Sequence, residues 1–293
     1  MLELYTHLVR ERHSAWLRRQ AGETGPWSDD PIIATTKFTN VFRVIDHGSQ
    51  YLLTEMLQEP GLAWEDVAFR AWAYRFTNRP EPWDTYRQLV GSMPTLEQVR
   101  EGVFEDALRM VDRAGVPLYS NAYMIHLGTE NAGMSKLDFI VRTANREWQD
   151  DAWLSLLEAS RGDDRLQHRV LCQLPRVANF MALQILTDIG YVDPEHDEDA
   201  FVVEGPGSLK GARLLDPILH YSKVFEIAQL HLELAAPEVY LELPDGRKHY
   251  PSLMDVQNTF CEFDKYVRRR ARERNSRFTP RHDPLPPVLP AHW

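Results

Sequence analysis

Residues 205–211, with the sequence Gly-Pro-Gly-Ser-Leu-Lys-Gly, combine residue types that can bind an anion. Glycines let backbone amides approach a phosphate closely, a serine can cap a helix, and a lysine adds positive charge. Gly205, Gly207, Ser208 and Lys210 are therefore candidate ligands of a pyrophosphate or a DNA phosphate. The spacing of a nucleotide-binding P-loop is absent. A plain turn leading into a helix is the alternative interpretation.

A second group of polar residues recurs on one face of a predicted helix near the C-terminus. Asp255, Asn258, Glu262 and Lys265 follow one another at three- or four-residue spacing, which places them side by side on a helix. Apolar residues occupy the opposite side of the same helix. This variety of polar groups indicates the wall of a binding site, and a solvated face of salt bridges is the alternative.

Metal-ligand spacing is missing from the sequence. The eleven histidines are dispersed, and the two cysteines, Cys172 and Cys261, stand far apart. No pair of histidines has the His-x-x-x-His spacing, and no Cys-x-x-Cys motif accompanies a histidine. We therefore expect no catalytic metal and no cofactor.

The elements that must position these residues are predicted to be almost entirely helical, because apolar residues recur at three- and four-residue spacing. Extended structure is expected only at 240–243 and 201–203, with a turn at Asp245-Gly246. Prolines crowd the end of the chain, which predicts a helical domain over 1–275 and an extended tail over 276–293. The predicted helices cover 39–57, 64–76, 83–90, 96–114, 136–144, 151–159, 166–171, 177–188, 214–234 and 253–273.

Charge and hydropathy limit the class of protein. The net charge of −10 argues against a generally basic nucleic-acid binder, although arginines cluster at 10–19 and 268–274 and can form local basic strips. No apolar run is long enough to span a membrane, and the first residues interleave charges with apolar side chains. We expect a cytoplasmic monomer.

Several blocks resemble one narrow group of enzymes. They are the run Pro-Trp-Ser-Asp-Asp-Pro-Ile-Ile at 26–33, the run Phe-Thr-Asn-Val-Phe-Arg at 38–43 with Asp46, the Gly-Pro-Gly at 205–207, and Cys-Glu-Phe-Asp-Lys-Tyr at 261–266. These blocks resemble the α-glutamyl/putrescinyl-thymine pyrophosphorylases, or amino acid:DNA transferases. That family shares its helical domain with proteins linked to 5-hydroxymethyluracil DNA kinases, mostly in bacteriophages.

Residues 174–182, Leu-Pro-Arg-Val-Ala-Asn-Phe-Met-Ala, resemble the hairpin of helix-hairpin-helix DNA glycosylases, Leu-Pro-x-Val-Gly-x-x-x-Ala. The resemblance implies a hairpin segment at about 166–215 and makes Arg176 a candidate DNA contact. Ala178 stands where the motif has glycine, which puts close approach to a phosphate in doubt. A core helix begun by proline is the alternative.

An aspartate follows the hairpin in those glycosylases, and here the matching window holds Asp197, Glu198 and Asp199. We choose Asp199 because it borders the apolar run 200–203, so we expect it to be partly buried. An acidic surface loop over 193–199 is the alternative.

The resemblance implies an all-α, two-lobed fold like that of helix-hairpin-helix DNA glycosylases. It implies a phage-encoded enzyme, active in the bacterial host cytoplasm on DNA whose 5-hydroxymethyluracil a separate kinase has (pyro)phosphorylated. Since the chain shows no kinase P-loop, it would act next and join an amine or amino acid to the 5-methylene carbon. A glycosylase acting on modified thymine and a noncatalytic DNA-binding module remain alternatives.

Such chemistry needs a carboxylate that accepts a proton, cations that stabilise the leaving group, and groups that read the uracil. The candidates are Asp199 or Asp46 as the base, Arg43, Lys210 and Lys265 for the leaving group, and Asn40 and Asn258 for the uracil edge.

Overall fold

The computed structural model describes residues 1–120, 127–272 and 284–293. Unit 1 comprises Met1–Gln50, Glu198–Ala291 and Trp293, and unit 2 comprises Tyr51–Asp197 and His292. Regular structure in the described residues is almost wholly helical, which confirms the predicted all-α class. None of the described helices is both long and apolar enough to cross a membrane. The predicted boundary between 275 and 276 lies outside the described residues.

Unit 1 is organised around one long C-terminal helix. The Tyr5 ring stacks on Phe260 at a centroid distance of 4.8 Å, and Phe225 stacks on the same ring at 4.9 Å. The Tyr5 hydroxyl is hydrogen bonded to Thr259 Oγ1 at 2.6 Å. The elements of unit 1 are α1 (Leu2–Gln20), α2 (Pro31–Thr35), a 3₁₀ turn (Arg43–Ile45), α3 (His47–Tyr51), α12 (Pro206–Leu215), α13 (Tyr221–Ala235), the antiparallel pair β1 (Leu241–Glu242) and β2 (Lys248–His249), and α14 (Leu253–Arg272).

Close packing of α12 against α14 depends on two glycines. A Cβ atom on Gly211 would lie 2.2 Å from the Phe260 carbonyl oxygen, and one on Gly207 would lie 3.0 Å from Cys261 Sγ. Glycine therefore lets the two helix backbones approach one another. The sequence prediction that a helix begins near 214 was wrong here: Pro206 occupies the first turn of α12, where a proline is favoured.

Unit 2 has an aromatic core. Trp72 packs against Phe69 and Trp148, with centroid distances of 5.7 and 5.6 Å. Arg75 and Asp188 form a fully buried ion pair, in which Arg75 Nη2 donates to Asp188 Oδ1 at 2.7 Å. Its elements are a π-helical turn (Leu52–Leu57), α4 (Trp64–Thr77), α5 (Glu81–Val90), α6 (Leu96–Arg100), α7 (Val103–Arg113), a 3₁₀ turn (Thr129–Asn131), α8 (Lys136–Arg146), α9 (Asp151–Ala159), α10 (Asp164–Leu171) and α11 (Asn179–Gly190).

The segment between α10 and α11 forms the predicted helix–turn–helix arrangement. Leu174 and Val177 are buried, and Arg176 takes a left-handed backbone conformation with φ of 62°. Ala178, at the motif's glycine position, has φ of −89° and precedes α11. This backbone conformation suits any residue, so the alanine is not strained. The relationship to helix-hairpin-helix glycosylases stays a prediction.

Two other predicted helices also differ from the structure, and the one predicted at 214–234 differs at a second point. The helix predicted at 39–57 is a loop, two short helical turns and a π-helical turn. The helix predicted at 96–114 is interrupted at Gly102, whose φ is 78°. The helix predicted at 214–234 is divided after Leu215, because Pro217 cannot continue a helical hydrogen-bond pattern. No strand was predicted at β2, while the turn at Asp245-Gly246 is present.

The described part of the tail, residues 284–293, contains no helix or strand but packs on unit 1. Val288 exchanges two hydrogen bonds with the Gln50 side chain, at 2.8 and 2.9 Å. Trp293 stacks on His249 at a centroid distance of 3.8 Å and an interplanar angle of 7°. Trp293 of the tail therefore covers His249, and the extended form of the whole tail stays a prediction.

Candidate functional site

The candidate site lies at the N-terminus of α14. Ser252 and Asp255 form a reciprocal cap, in which Ser252 N donates to Asp255 Oδ2 at 3.1 Å and Asp255 N donates to Ser252 Oγ at 3.2 Å. The other carboxylate oxygen of Asp255 accepts the Arg43 backbone N–H at 2.7 Å. Asp255 is only 3% exposed. Two blocks that the sequence analysis singled out, 38–46 and 255–266, therefore meet at this carboxylate.

Glu198 and His249 complete a compact group with Asp255. One ligand atom from each of the three residues lies within 4.8 Å of the other two. The group draws on the segment before α12, on β2 and on the first turn of α14. This departs from the expectation that the chain has no metal-ligand set, because these ligands come from three distant segments and have no spacing in the sequence.

The protonation of this group is set by burial. Desolvation raises the pKa of the Glu198 carboxyl, and repulsion from Asp255 raises it further. The pKa of the Asp255 carboxyl is also raised by desolvation, while hydrogen bonds from Arg43 and Ser252 oppose the shift. Burial lowers the pKa of His249 to about 4, so the imidazole is neutral at pH 7. Its Nε2 is buried and has no hydrogen-bond partner among the described residues.

Asp199 does not have the partial burial that we expected. Its side chain is exposed, and Oδ1 accepts the Leu253 backbone N–H at 2.7 Å and a Gln229 Nε2 hydrogen at 2.8 Å. Asp199 therefore satisfies a free amide at the N-terminus of α14. Neighbouring residues of one chain segment face different surroundings, and in this segment Glu198 is the carboxylate that turns inward.

Asp46 lies in a second polar region of unit 1, beside Arg43. Its Oδ1 accepts the Asn40 backbone N–H at 2.9 Å, and burial raises the pKa of its carboxyl to about 6. The charges of Arg12 and Arg43 oppose that pKa shift. Asn40 Oδ1 accepts Arg12 Nη2 at 2.6 Å, and Asn40 Nδ2 donates to the Ile45 carbonyl at 2.9 Å. The Asn40 side chain therefore holds the 40–46 loop closed.

The polar face of α14 closes a small cleft beside this loop. Asn258 Nδ2 donates to Thr39 Oγ1 and to the Asn40 carbonyl, each at 3.2 Å. Lys265 Nζ donates to Glu262 Oε2 at 2.5 Å and to the Lys37 carbonyl at 2.8 Å. Glu262, Asn40, Arg12, Thr259 and five further residues at 8, 9, 38, 39 and 41 line the cleft.

The residues of the glycine-rich stretch have internal partners. The Gly205 N–H donates to Ser208 Oγ at 2.8 Å, and Ser208 is fully buried. Gly207 faces Cys261 across the helix packing described above, while Lys210 is exposed on α12. Arg176 is exposed in unit 2. A phosphate-binding role for these residues stays a prediction.

Sequence reasoning missed Glu198 as the inward carboxylate and missed His249 altogether. Glu198 lies inside the acidic window. Its orientation depends on how α14 packs, and the residues next to Glu198 in the sequence give no information on that packing. His249 belongs to a two-residue strand, too short to leave an alternating pattern.

Comparison with known proteins identifies the family to which the chain belongs. The chain belongs to the family described as the helical domain of 5-hmdU DNA kinase, which it matches over residues 1–276. A 5-hmdU DNA kinase of Bacillus phage SP10 is 26% identical over 295 residues, covering 93% of this chain and 46% of that protein. The chain thus spans about half the length of this curated relative. No solved structure matches. The family match confirms the predicted link to 5-hydroxymethyluracil DNA kinases.

Proposed function

We propose that this chain takes part in the hypermodification of 5-hydroxymethyluracil in DNA and transfers an amine to the activated base. The family of the chain and the blocks that resemble amino acid:DNA transferases support this function. The observation that carries it is the meeting of two carboxyl groups, Glu198 and Asp255, near the buried Arg43, whose positive charge opposes the raised pKa of the Glu198 carboxyl. A proton acceptor and a positive charge in one place are what amine transfer with loss of an anion requires.

The proposed reaction begins with the modified base outside the helix stack, at a cost of about a few kcal/mol. The amine arrives as an ammonium ion and gives a proton to Glu198. Its nitrogen then attacks the 5-methylene carbon, the carbon–oxygen bond to the (pyro)phosphate breaks, and the bonding electrons leave with the anion. Arg43 stabilises that anion. A carboxyl with a raised pKa is suited to this step, since a base works best near the operating pH.

The other predicted residues have supporting roles in this proposal. Asp46 is the second candidate base, because burial raises its carboxyl pKa to about 6. Asn40, Asn258, Glu262 and Lys265 form the wall on which the uracil and the amine would be placed. Lys210 and Arg176 are exposed and would contact DNA phosphates.

The test is analysis of nucleosides by mass spectrometry. The chain is incubated with a mixture of candidate amines and with 5-hydroxymethyluracil DNA that a kinase has phosphorylated. A new amino-alkylated thymidine is the expected result, and its mass identifies the amine. Release of a free base would instead indicate a glycosylase.

A noncatalytic role is the second candidate. It is favoured by the phage SP10 relative, because the region that matches this chain makes up only 46% of that protein. In this case the chain would bind the modified DNA and present it to a kinase. Unchanged nucleosides, together with faster phosphorylation when the chain is added to a kinase, would support this role and contradict amine transfer.

A further inference from the structure

The group formed by Glu198, His249 and Asp255 has the dimensions of a metal site. Ligand oxygens and nitrogens lie about 2.0–2.2 Å from Zn²⁺, so two ligands on opposite sides of the ion are at most about 4.4 Å apart. The three ligand atoms of this group already lie within 4.8 Å of one another. Three atoms within 4.8 Å of one another lie at most about 2.8 Å from a common centre, so movements of about 0.6–0.8 Å would bring all three onto one ion. Within the described residues, this is the one group of three or more such side chains with that geometry.

Two of the three residues retain an electron pair for a metal. The Nε2 atom of His249 is buried and has no hydrogen-bond partner among the described residues. Asp255 accepts three hydrogen bonds, from Arg43 N, Ser252 N and Ser252 Oγ. A carboxylate has about four acceptor positions, so one remains for an ion.

Surrounding contacts orient the ligands, as they do in established metal sites. The His249 ring is held in parallel stacking against Trp293, with ring centroids 3.8 Å apart. The reciprocal cap with Ser252 fixes the position of the Asp255 carboxylate. These contacts reduce the conformational freedom that the ligands would lose when an ion binds.

Charge also favours a cation. Two carboxyl groups lie close together in this group, and one of them, that of Asp255, is buried. Buried carboxylates are stable only when a cation pairs with them or a proton neutralises them. A divalent ion can replace that proton and bind both oxygens.

We infer that Glu198, His249 and Asp255 bind one divalent transition-metal ion through one nitrogen and two carboxylate oxygens. This mixed ligand set favours ions such as Zn²⁺ and Mn²⁺ over Ca²⁺, because imidazole is a poor ligand for the hard alkaline-earth ions. Three protein ligands leave coordination positions open, as in catalytic sites. An open position suits an oxygen of the (pyro)phosphate leaving group, a consequence that rests on the proposed function. Glu198 would bind the ion through one carboxylate oxygen and keep the other oxygen to accept the proton of the amine.

The test is calorimetric titration of the full chain, stripped with a chelator, by Zn²⁺ and separately by Mn²⁺, without DNA or amine. We expect one ion per chain, and at least tenfold weaker binding in Glu198→Gln and in His249→Gln. The matched controls are Glu204→Gln and His231→Ala, which change the same residue types elsewhere in unit 1 and should bind like the wild type.

Melting curves of each variant show whether it remains folded. Asp255→Asn also disturbs the cap of α14, so Glu198→Gln and His249→Gln decide the question. Failure of the wild-type chain to bind either ion, or equal binding by these two variants and the controls, overturns the inference. The titration needs no DNA, so it tests the metal site separately from amine transfer. Metal binding without product formation would contradict amine transfer and support the metal site.

Discussion

Glu198 and Asp199 are neighbours with opposite roles. Asp199 is exposed and accepts the first free amide of α14, whereas Glu198 turns toward Asp255 and His249. The sequence analysis selected the acidic window that contains both residues. The sequence could not show which of the two carboxylates turns inward. Their orientation depends on packing against α14, which begins more than fifty positions later.

Replacing each neighbour separately should distinguish these roles. Glu198→Gln should lower amine transfer about a hundredfold or more, since it removes the proton acceptor. The melting temperature should not fall, because a buried acid is replaced by a neutral group of the same shape. Asp199→Asn should retain transfer within a few-fold. It should cost about 0.3–1 kcal/mol of stability through the lost negative charge at a helix N-terminus.

Product formation by mass spectrometry and thermal melting measure both outcomes. Full activity of Glu198→Gln together with an inactive Asp199→Asn would restore Asp199 as the base.

Asp46 should make the stability of the chain depend on pH. Burial raises the pKa of its carboxyl to about 6, so the folded state binds a proton more tightly than the unfolded state does. Its stabilising contribution is complete below about pH 4 and is lost as the pH rises through about 6. The stability of the wild type relative to Asp46→Asn should therefore fall by about 1–3 kcal/mol between pH 5 and 8.

Chemical unfolding at several pH values measures this difference. Asp216→Asn is the control: amide groups of Leu219 and Ile218 lower the pKa of the Asp216 carboxyl, so it is ionised throughout that range. A difference between wild type and Asp46→Asn that is constant from pH 5 to 8 would refute the pKa assignment.

At the scale of elements, α14 gathers the site. The sequence predicted this helix at 253–273, close to the observed Leu253–Arg272, because a long stripe of apolar residues faces the core. Its packing against α12 was not predictable, since the glycine-rich stretch can equally precede a helix or begin one.

Gly211→Ala should destabilise the chain, although alanine is normally the better helix former by about 1 kcal/mol. The new Cβ would lie 2.2 Å from the Phe260 carbonyl oxygen, a clash with backbone that cannot rotate away. We expect a net loss of about 1–3 kcal/mol in the free energy of unfolding. Gly207→Ala is the comparison: its Cβ meets a movable cysteine side chain at 3.0 Å and should cost less. Equal stability of Gly211→Ala and wild type in urea would disprove the close approach.

Ser252→Ala should affect both α14 and the site. It removes the hydroxyl that accepts the Asp255 N–H and donates to the Asp255 carboxylate. Loss of such a cap costs about 1 kcal/mol. Activity should fall as well, because the carboxylate loses one of its positioning contacts. A variant with wild-type melting and wild-type product yield would show that this cap is dispensable.

The 40–46 loop shows where local sequence reasoning fails. The apolar residues of this loop have the spacing of a helix, and the sequence analysis therefore predicted a helix from 39 to 57. Three side-chain contacts instead hold the loop closed: Asp46 to the Asn40 amide, Asn40 to the Ile45 carbonyl, and Arg12 to Asn40. Such contacts compete with helical hydrogen bonds, and the contact from Arg12 comes from another element.

At the scale of the whole molecule, charge limits DNA binding. The net charge is −10, and several arginines of the predicted basic strips have acidic partners. Arg10 pairs with Glu238, Arg18 with Glu23, and Arg268 with Asp264. These three arginines can therefore bind phosphates only if their ion pairs break.

Affinity for duplex DNA should consequently be weak and should fall as salt concentration rises, because each phosphate contact releases counterions. Fluorescence anisotropy with labelled duplexes at about 50 and 200 mM salt measures the change. Binding that is independent of salt across this range would refute recognition through phosphate contacts.

The order in which the chain emerges from the ribosome determines which unit can fold first. Unit 1 joins the first fifty residues to the region after Glu198, and its hydrogen bond from Arg43 to Asp255 connects residues 212 positions apart. Unit 2 is continuous apart from His292 and can fold while synthesis continues, since domains form in order of their appearance. The N-terminal helix must wait for α14, at the entropic cost of closing a long loop. A chain that ended before α14 would thus contain a folded unit 2 but not the group of Glu198, His249 and Asp255.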